Sequence, residues 1–124
     1  DFFRTKAHYS NLYFGASLMA LIDLGKEKGY TFVGTNTNGV NAFFIRNDFA
    51  SEITPLLSSV SAYPSMFREA RGEDGKLTLI SGLDRFKIIK DCKFFNLKTK
   101  ENINIEKLGK IYSPQWQRGE RNNF

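Results

Sequence analysis

The stretch of residues 16–46 constrains the fold more than any other, because it joins a helical pattern to two strand-like segments. Its apolar residues recur at the i, i+3, i+4, i+7 spacing of one helix face, and they are Leu18, Leu21, Ile22 and Gly25. Gly29 stands where a left-handed residue commonly ends a helix. The start of the helix is open, since Ser10 and Asn11 are both possible N-caps.

Gly25 lies inside this helical pattern, where a glycine costs roughly 1 kcal/mol relative to alanine. A close approach of the helix to a sheet would explain the glycine. A tolerated glycine near a helix end explains it equally well, so the sequence leaves both explanations open.

The two segments that follow, residues 30–35 and 40–45, are rich in the β-branched and aromatic residues typical of strands. The Asn-Gly step between them is a strong short-range signal for a hairpin. Residues 42–45 are apolar on both faces, which indicates a strand covered on both sides. A helix that leads into such a pair favours layered α/β packing over a helical bundle.

Length and composition indicate an ordered protein without a membrane span. The 124 residues suffice to bury about two thirds of the surface of the unfolded chain. Contents of 41% hydrophobic and 15% aromatic residues argue against disorder. No apolar run approaches the length of a membrane helix, so no membrane partner is predicted. The single cysteine, Cys92, fits a reducing compartment, and we predict a cytoplasmic location.

The net charge of +5 is concentrated in the second half of the chain. Residues 1–75 hold seven basic and eight acidic groups, whereas residues 76–124 hold eleven basic and five acidic groups. Such a basic half is able to attract an acidic partner. A solvated surface explains the same lysines, because they do not form a continuous block.

Weaker patterns predict short elements after the first hairpin. They are a helix over residues 49–57 that Pro55 limits, one helical turn over residues 66–71, a strand over residues 77–80, a helix that starts from Ser81 as N-cap, and a second hairpin from residues 94–97 and 103–105. In the helix after Ser81, the predicted apolar stripe is Leu83, Phe86 and either Ile89 or Ile88. The opposite, polar face holds Arg85, Lys87 and Lys90.

Motifs for catalysis and for metal binding are absent from the sequence. Neither a Walker nor a dinucleotide-type glycine-rich loop is present, and no Cys/His set has metal-site spacing. The single histidine, His8, has no sequence neighbour that would orient it as a general base. We therefore predict no metal and assign no catalytic residue.

The C-terminal tail combines an aromatic ring with two cations, at Trp116, Arg118 and Arg121. Stacking rings beside cations are typical of proteins that bind single-stranded nucleic acid. No single-strand-binding fold signature accompanies these residues, so nucleic acid is not among the predicted partners.

The run of residues 12–48 resembles a segment of bacterial proteins related to class I, S-adenosylmethionine-dependent methyltransferases. In that family the pattern is Tyr-x-Gly-Ala-Ser-Leu-x-Ala-Leu, Leu-Gly-x-x-Lys-Gly-Tyr, Val-Gly and Gly-x-Asn-Ala-Phe-Phe-x-Arg. The matching positions here are Tyr13, Gly15, Ala16, Ser17, Leu18, Ala20, Leu21, Leu24, Gly25, Lys28, Gly29, Tyr30, Val33, Gly34, Gly39, residues 41–44 and Arg46. Residues 65–85 are similar to the C-terminal extension of the same family.

The resemblance implies an α/β fold built as a doubly wound sheet. Residues 1–57 would hold its last helix and its final two strands, which form an antiparallel hairpin at the sheet edge. Residues 58–124 would form a small basic α+β extension packed on that edge. The cofactor site is implied to lie upstream, so the chain is expected to be either the C-terminal part of a larger methyltransferase-like protein or the same segment reused alone. No cofactor is predicted for this chain, and S-adenosylmethionine is implied for a full-length relative.

Two functions remain open at this point. The first is the C-terminal portion of a methyltransferase-like protein, not catalytic alone, whose partner is the upstream half of the same protein or another subunit. Its candidate residues for binding a small-molecule or glycan substrate are Tyr13, Asn36, Asn38 and Asn41. Turn chemistry accounts equally for Asn36 and Asn38. The alternative is a non-enzymatic binding module whose basic residues 76–124 contact an acidic partner.

Overall fold

A computed structural model describes residues 2–57, 59–66, 69–80, 82–118 and 122–123. Over these residues the protein is a mixed α/β structure with five α-helices and three two-stranded antiparallel sheets. None of the helices in these ranges combines the length and the apolar character needed to cross a bilayer.

The elements are short, and most are joined by turns. In chain order the helices are α1 (Arg4–Ala7), α2 (Leu18–Glu27), α3 (Asn47–Ile53), α4 (Leu83–Ile89) and α5 (Pro114–Gln117), with 3₁₀ turns at Thr54–Leu56 and Ile105–Leu108. The strands are β1 (Tyr30–Thr35), β2 (Ala42–Arg46), β3 (Ser61–Ala62), β4 (Lys93–Asn96), β5 (Glu101–Asn104) and β6 (Asn122–Asn123). The sheets pair β1 with β2, β3 with β6, and β4 with β5.

The chain divides into two compact units. Unit 1 comprises residues 1–15 and 67–113, and unit 2 comprises residues 16–66 and 114–124. Unit 2 therefore contains the helix and hairpin that dominate the sequence pattern. The predicted division of the chain at residue 57 stays a prediction of domain organisation.

The helix of unit 2, α2, begins later than the sequence predicts. Ser17 is its N-cap, and the Ser17 hydroxyl oxygen accepts a hydrogen bond from the Ala20 N–H at 3.2 Å. The predicted N-caps Ser10 and Asn11 are wrong, because both are buried in the turn of residues 8–12 and bond to groups there or at residue 69. The predicted end is confirmed, since Gly29 adopts a φ of 79° directly after the last turn.

Helix α2 packs closely on the β1–β2 hairpin. A Cβ atom on Gly25 would lie 3.1 Å from the ring of Phe44, so any larger residue here would require that ring to shift by a few tenths of an ångström. The sheet-contact explanation for Gly25 is therefore confirmed. Ile22 and Phe32 form the centre of the resulting core with Ala62, and Phe44 packs against them.

The hairpin itself confirms the prediction from the Asn-Gly step. Strands β1 and β2 pair in antiparallel register, with Phe32 opposite Phe44 and a bulge between Phe32 and Gly34. The Asn36 N–H donates to the Asn41 carbonyl at 3.2 Å, which closes the six-residue connection. Gly39 in this loop adopts a φ of 61°.

The prediction that β2 is covered on both faces is wrong for the described residues. Phe44 packs against the α2 side, but the neighbouring Phe43 points to the other face and is 52% exposed. Strand β2 pairs with β1 and with no second strand among these residues. One edge of the apolar strand remains open, and the face of Phe43 is only partly covered, since Ile45 on that face is half-buried.

The predicted short elements have mixed outcomes. Helix α3 ends at Ile53 and continues as a 3₁₀ turn that contains Pro55, which confirms the limit set by the proline. Residues 77–80 form no strand, since only an isolated bridge joins Leu77 to Arg71 and Leu79 has a φ of 53°. Two residues of the turn predicted at 66–71, residues 67 and 68, lie outside the described residues.

Unit 1 confirms the second hairpin as β4 and β5, with Phe94 opposite Ile103. The predicted faces of α4 hold for Phe86, Ile89, Lys87 and Lys90 and are wrong at two positions. Arg85 is buried at 8% exposure, whereas Leu83 is 48% exposed. The predicted cap, Ser81, lies outside the described residues, and Gly82 occupies the N-cap position.

We expect Gly39→Ala to destabilise the protein more than Gly29→Ala. Both positions have positive φ, so either alanine costs about 1–2 kcal/mol of backbone strain. A Cβ on Gly39 would also overlap the Tyr63 carbonyl oxygen, whereas a Cβ on Gly29 meets open space. Urea unfolding of the two variants checks this ranking, and equal losses of stability would contradict the loop geometry.

Candidate functional site

The three predicted asparagines lie together in the β1–β2 connection of unit 2. The Asn36 side-chain oxygen accepts hydrogen bonds from the N–H groups of Val40 and Asn41, both at 3.1 Å. The Asn38 carbonyl accepts from the Met66 N–H at 2.8 Å. Asn36 is thus used for loop closure, while the side chains of Asn38 and Asn41 are exposed. A ligand role for these residues stays a prediction.

Tyr13, the fourth predicted residue, belongs to unit 1 and lines a surface depression of about 380 Å³. Aromatic rings form most of the lining, and we call this site the aromatic depression: Phe2, Tyr13, Phe14, Phe94 and Phe95, with Gly15 and Lys93. The ring of Tyr13 meets that of Phe94 edge to face, with centroids 5.3 Å apart. The Tyr13 hydroxyl donates to the Lys93 carbonyl, which ties the N-terminal segment to β4.

Positive charge borders this depression. The Arg4 guanidinium lies 4.7 Å from the centroid of the Phe14 ring and pairs with Glu69 at 3.0 Å. Lys93 is exposed, and its side chain forms no ion pair within the described residues. Unit 1 as a whole contains thirteen basic and eight acidic residues, so it carries the entire +5 of the chain.

His8 and Ser10 form a hydrogen-bonded pair in the turn before Tyr13. His8 Nδ1 lies 2.8 Å from Ser10 Oγ and accepts from the Ser10 N–H at 3.3 Å. Ser10 Oγ also accepts from the Leu12 N–H at 3.2 Å. Ser10 is completely buried, so its hydroxyl is inaccessible to a substrate and holds the turn instead.

Arg85 and Tyr112 form a second pair of polar residues in unit 1, and the sequence pattern did not predict that they lie close together. Arg85 Nε donates to the Ile80 carbonyl at 3.2 Å. Burial raises the pKa of the Tyr112 phenol, and the Arg85 charge acts in the opposite direction. Both residues belong to unit 1, and the burial of Arg85 with its bond to a backbone carbonyl suits a structural role.

A shallow, almost wholly apolar groove of about 300 Å³ runs along α2 in unit 2. Its lining residues come from the helix and the hairpin, and they are Leu21, Leu24, Gly25, Lys28, Tyr30 and Phe44. Leu24 and Tyr30 are each about 40% exposed. This surface offers packing area and almost no polar chemistry.

The described residues contain no cluster of titratable side chains that would form a reactive centre. No group of three His, Cys, Asp or Glu side chains there is able to hold a metal ion. Cys92 is half-buried, and burial raises the pKa of its thiol, with Asp91 acting in the same direction. A raised pKa disfavours the thiolate that nucleophilic chemistry needs.

Sequence reasoning found Tyr13 through the family pattern but missed the rings around it. Phe2 is 67% exposed, although the sequence analysis offers no role for it. Phe14 and Phe95 also reach the surface, at 40% and 57% exposure. The sequence signal for this site is a pair of adjacent aromatic residues in each of three distant segments, at residues 2–3, 13–14 and 94–95.

Comparisons with known proteins return no match: no family model, no curated protein and no solved structure is similar to this chain.

We expect Ser10→Ala to lower the free energy of unfolding by about 1–3 kcal/mol, because it leaves the buried Leu12 N–H without its acceptor. Urea unfolding followed by circular dichroism measures the loss. Ser51→Ala is the matched control, since Ser51 is exposed on α3. A Ser10 variant as stable as this control would remove the structural role of the hydroxyl.

We expect Tyr112 to make the protein less stable in alkali. Its folded pKa is raised above the ordinary 10.0, so the native state retains the proton that the unfolded state loses. Stability is therefore lost as the pH rises through 10.0 and beyond. Tyr112→Phe should flatten this decline in urea unfolding measured across that range, relative to its own value at neutral pH. Parallel declines for both proteins would contradict the prediction.

Proposed function

We propose that this chain is the C-terminal part of a methyltransferase-like protein and is not catalytic by itself. The observation that carries the proposal is the α2–β1–β2 arrangement, a helix packed on an antiparallel hairpin through the contact of Gly25 with Phe44. The family pattern implies this order of elements for its final helix and last two strands. Four of the matched positions, Gly25, Gly29, Gly39 and Phe44, serve that packing or the turns beside it.

The open side of the hairpin supports a larger sheet that continues from β2. On the β1 side, residues 61–63 already occupy the edge: the Tyr63 N–H donates to Thr35 Oγ1 at 3.0 Å, and Gly34 lies close to the Ser61 carbonyl. The β2 side has no strand partner among the described residues. An unpaired apolar strand edge readily accepts another strand.

Exposed apolar side chains beside that edge support the same proposal. Phe43 is 52% exposed and Val40 is 53% exposed. The apolar groove along α2 adds further uncovered surface on the opposite face. Clustered apolar surface of this kind is typical of contacts with another protein segment.

In the proposal, methyl transfer from S-adenosylmethionine belongs to the upstream half of the same protein or to another subunit. No cofactor-binding residue is assigned to this chain. The exposed side-chain amides of Asn38 and Asn41 are the hairpin groups that would bind a small-molecule or glycan substrate. In the proposal they lie at the edge of a doubly wound sheet.

A second candidate function rests on the charge of unit 1, which holds the whole net charge of the protein. It is a non-enzymatic module that contacts an acidic partner. Binding of a polyanion that weakens steeply with salt supports this candidate.

Calorimetric titration with S-adenosylmethionine tests the main proposal. We expect no binding by residues 1–124 and saturable binding by the product of the reading frame extended upstream of Asp1. An extended product that lacks a glycine-rich loop after its first strand and does not bind would overturn the proposal.

Phe43→Gln provides a test in the same two proteins. In residues 1–124 alone we expect a change within about 0.5 kcal/mol, because the ring is already half exposed. In the extended product the ring is expected to be covered, so its loss should cost at least about 2 kcal/mol in urea unfolding. Phe49→Gln is the control, since Phe49 is 50% exposed on α3 and should behave alike in both proteins. Equal effects of Phe43→Gln in both would count against the larger sheet.

A further inference from the structure

We propose that the aromatic depression of unit 1 binds a small anion that carries one planar ring, the chemistry of a nucleotide. The inference is independent of the function proposed above, because it rests on unit 1 alone. Three observations carry it: the size of the depression, the rings that line it, and the charge around it.

The depression has the size of a small-ligand site. Its volume of about 380 Å³ lies near the lower end of the range of roughly 300–1,000 Å³ that ligand pockets span. A site of this volume suits one ring with its substituent and leaves little room for a longer chain. The lining is held by contacts between distant segments, since Tyr13 bonds to the Lys93 carbonyl and packs on Phe94.

The ring of Phe95 offers a face for stacking. Phe95 is 57% exposed, so a ligand ring is able to reach its face. Arg4 already lies over the ring of Phe14, so Phe14 contributes apolar surface beside the site instead of a stacking face. A planar heteroaromatic ring gains from stacking on a face like that of Phe95 whatever its substituents. Burying these rings under a ligand also removes apolar surface from water.

The charge selects an anion. Lys93 stands at the lining with no ion pair within the described residues, whereas the charge of Arg4 is already paired with Glu69 at 3.0 Å. No carboxylate is among the described lining residues. A ligand whose negative group meets Lys93 while its ring meets Phe95 uses both features at once.

The same charge argues against a second copy of this chain as the occupant. Two copies of unit 1 would bring two surfaces of net positive charge together, and like charges oppose that contact. Unit 2 has no net charge, so like-charge repulsion does not oppose contact between two copies at its apolar groove.

Titration of the isotope-labelled 124-residue protein with uridine 5′-monophosphate, followed by NMR, tests the proposal. We expect saturable shifts at residues 13–15 and 93–95. Uridine lacks the negative group and ribose 5-phosphate lacks the ring, so each should bind at least about 5-fold more weakly.

Two variants locate the binding. Phe95→Ala should weaken it by roughly 5- to 100-fold, the range for loss of one stacking ring. Lys93→Gln should weaken it by roughly 2- to 5-fold and reduce its salt dependence. Phe49→Ala and Lys26→Gln are the controls, because both residues are exposed in unit 2.

Each other outcome overturns the proposal. Equal binding of ribose 5-phosphate would show a purely electrostatic contact, and equal binding of uridine would show an apolar one. Binding of a ten-nucleotide single strand without binding of the mononucleotide would assign the surface to nucleic acid. Loss of binding in the Phe49 control would place the site elsewhere.

Discussion

The contact between Gly25 and the ring of Phe44 is the constraint on which unit 2 depends. It sets the distance between α2 and the hairpin, and the core of Ile22, Phe32 and Ala62 fits the space that results. A side chain on Gly25 would crowd the ring of Phe44, which packs against that core. The glycine lowers the helix propensity of α2 but permits its close approach to the hairpin.

Much of the aromatic content of this protein lies outside its small cores. The N-terminal segment is an example, because Phe2, Phe3 and Tyr9 are 67%, 54% and 44% exposed. Arg4 and Lys6 lie over the rings of Phe14 and Phe3 and shield part of this surface. Rings exposed in this way leave the interior of the protein small.

The local elements of unit 2 were predictable from the sequence. Helical spacing and Gly29 define α2, and the Asn-Gly step defines the hairpin, because these signals act over a few residues. What the sequence could not predict depends on tertiary contacts. The burial of Arg85 follows from its bond to the Ile80 carbonyl and from its neighbour Tyr112, neither of which a helical pattern encodes.

The candidate sites differ in the same way: one depends on residues close in sequence, and the other depends on tertiary contacts. The asparagines of the hairpin loop were found because turn residues and hydrogen-bonding residues coincide there. The aromatic depression was not found as a whole, since its rings come from residues 2, 13–14 and 94–95 and meet only in the folded chain. Tyr13 alone was identified, through a sequence pattern and not through its neighbours.

The split of unit 1 across the chain has a consequence for the order of folding. The turn of residues 8–12 receives its backbone partner when the Arg71 N–H donates to the Ser10 carbonyl at 2.9 Å. Helix α2 and the hairpin need only contacts close in sequence, which form early. On the ribosome the N-terminal aromatic segment must therefore wait for residue 71 to emerge, and during that interval it is exposed to chaperones and to other nascent chains.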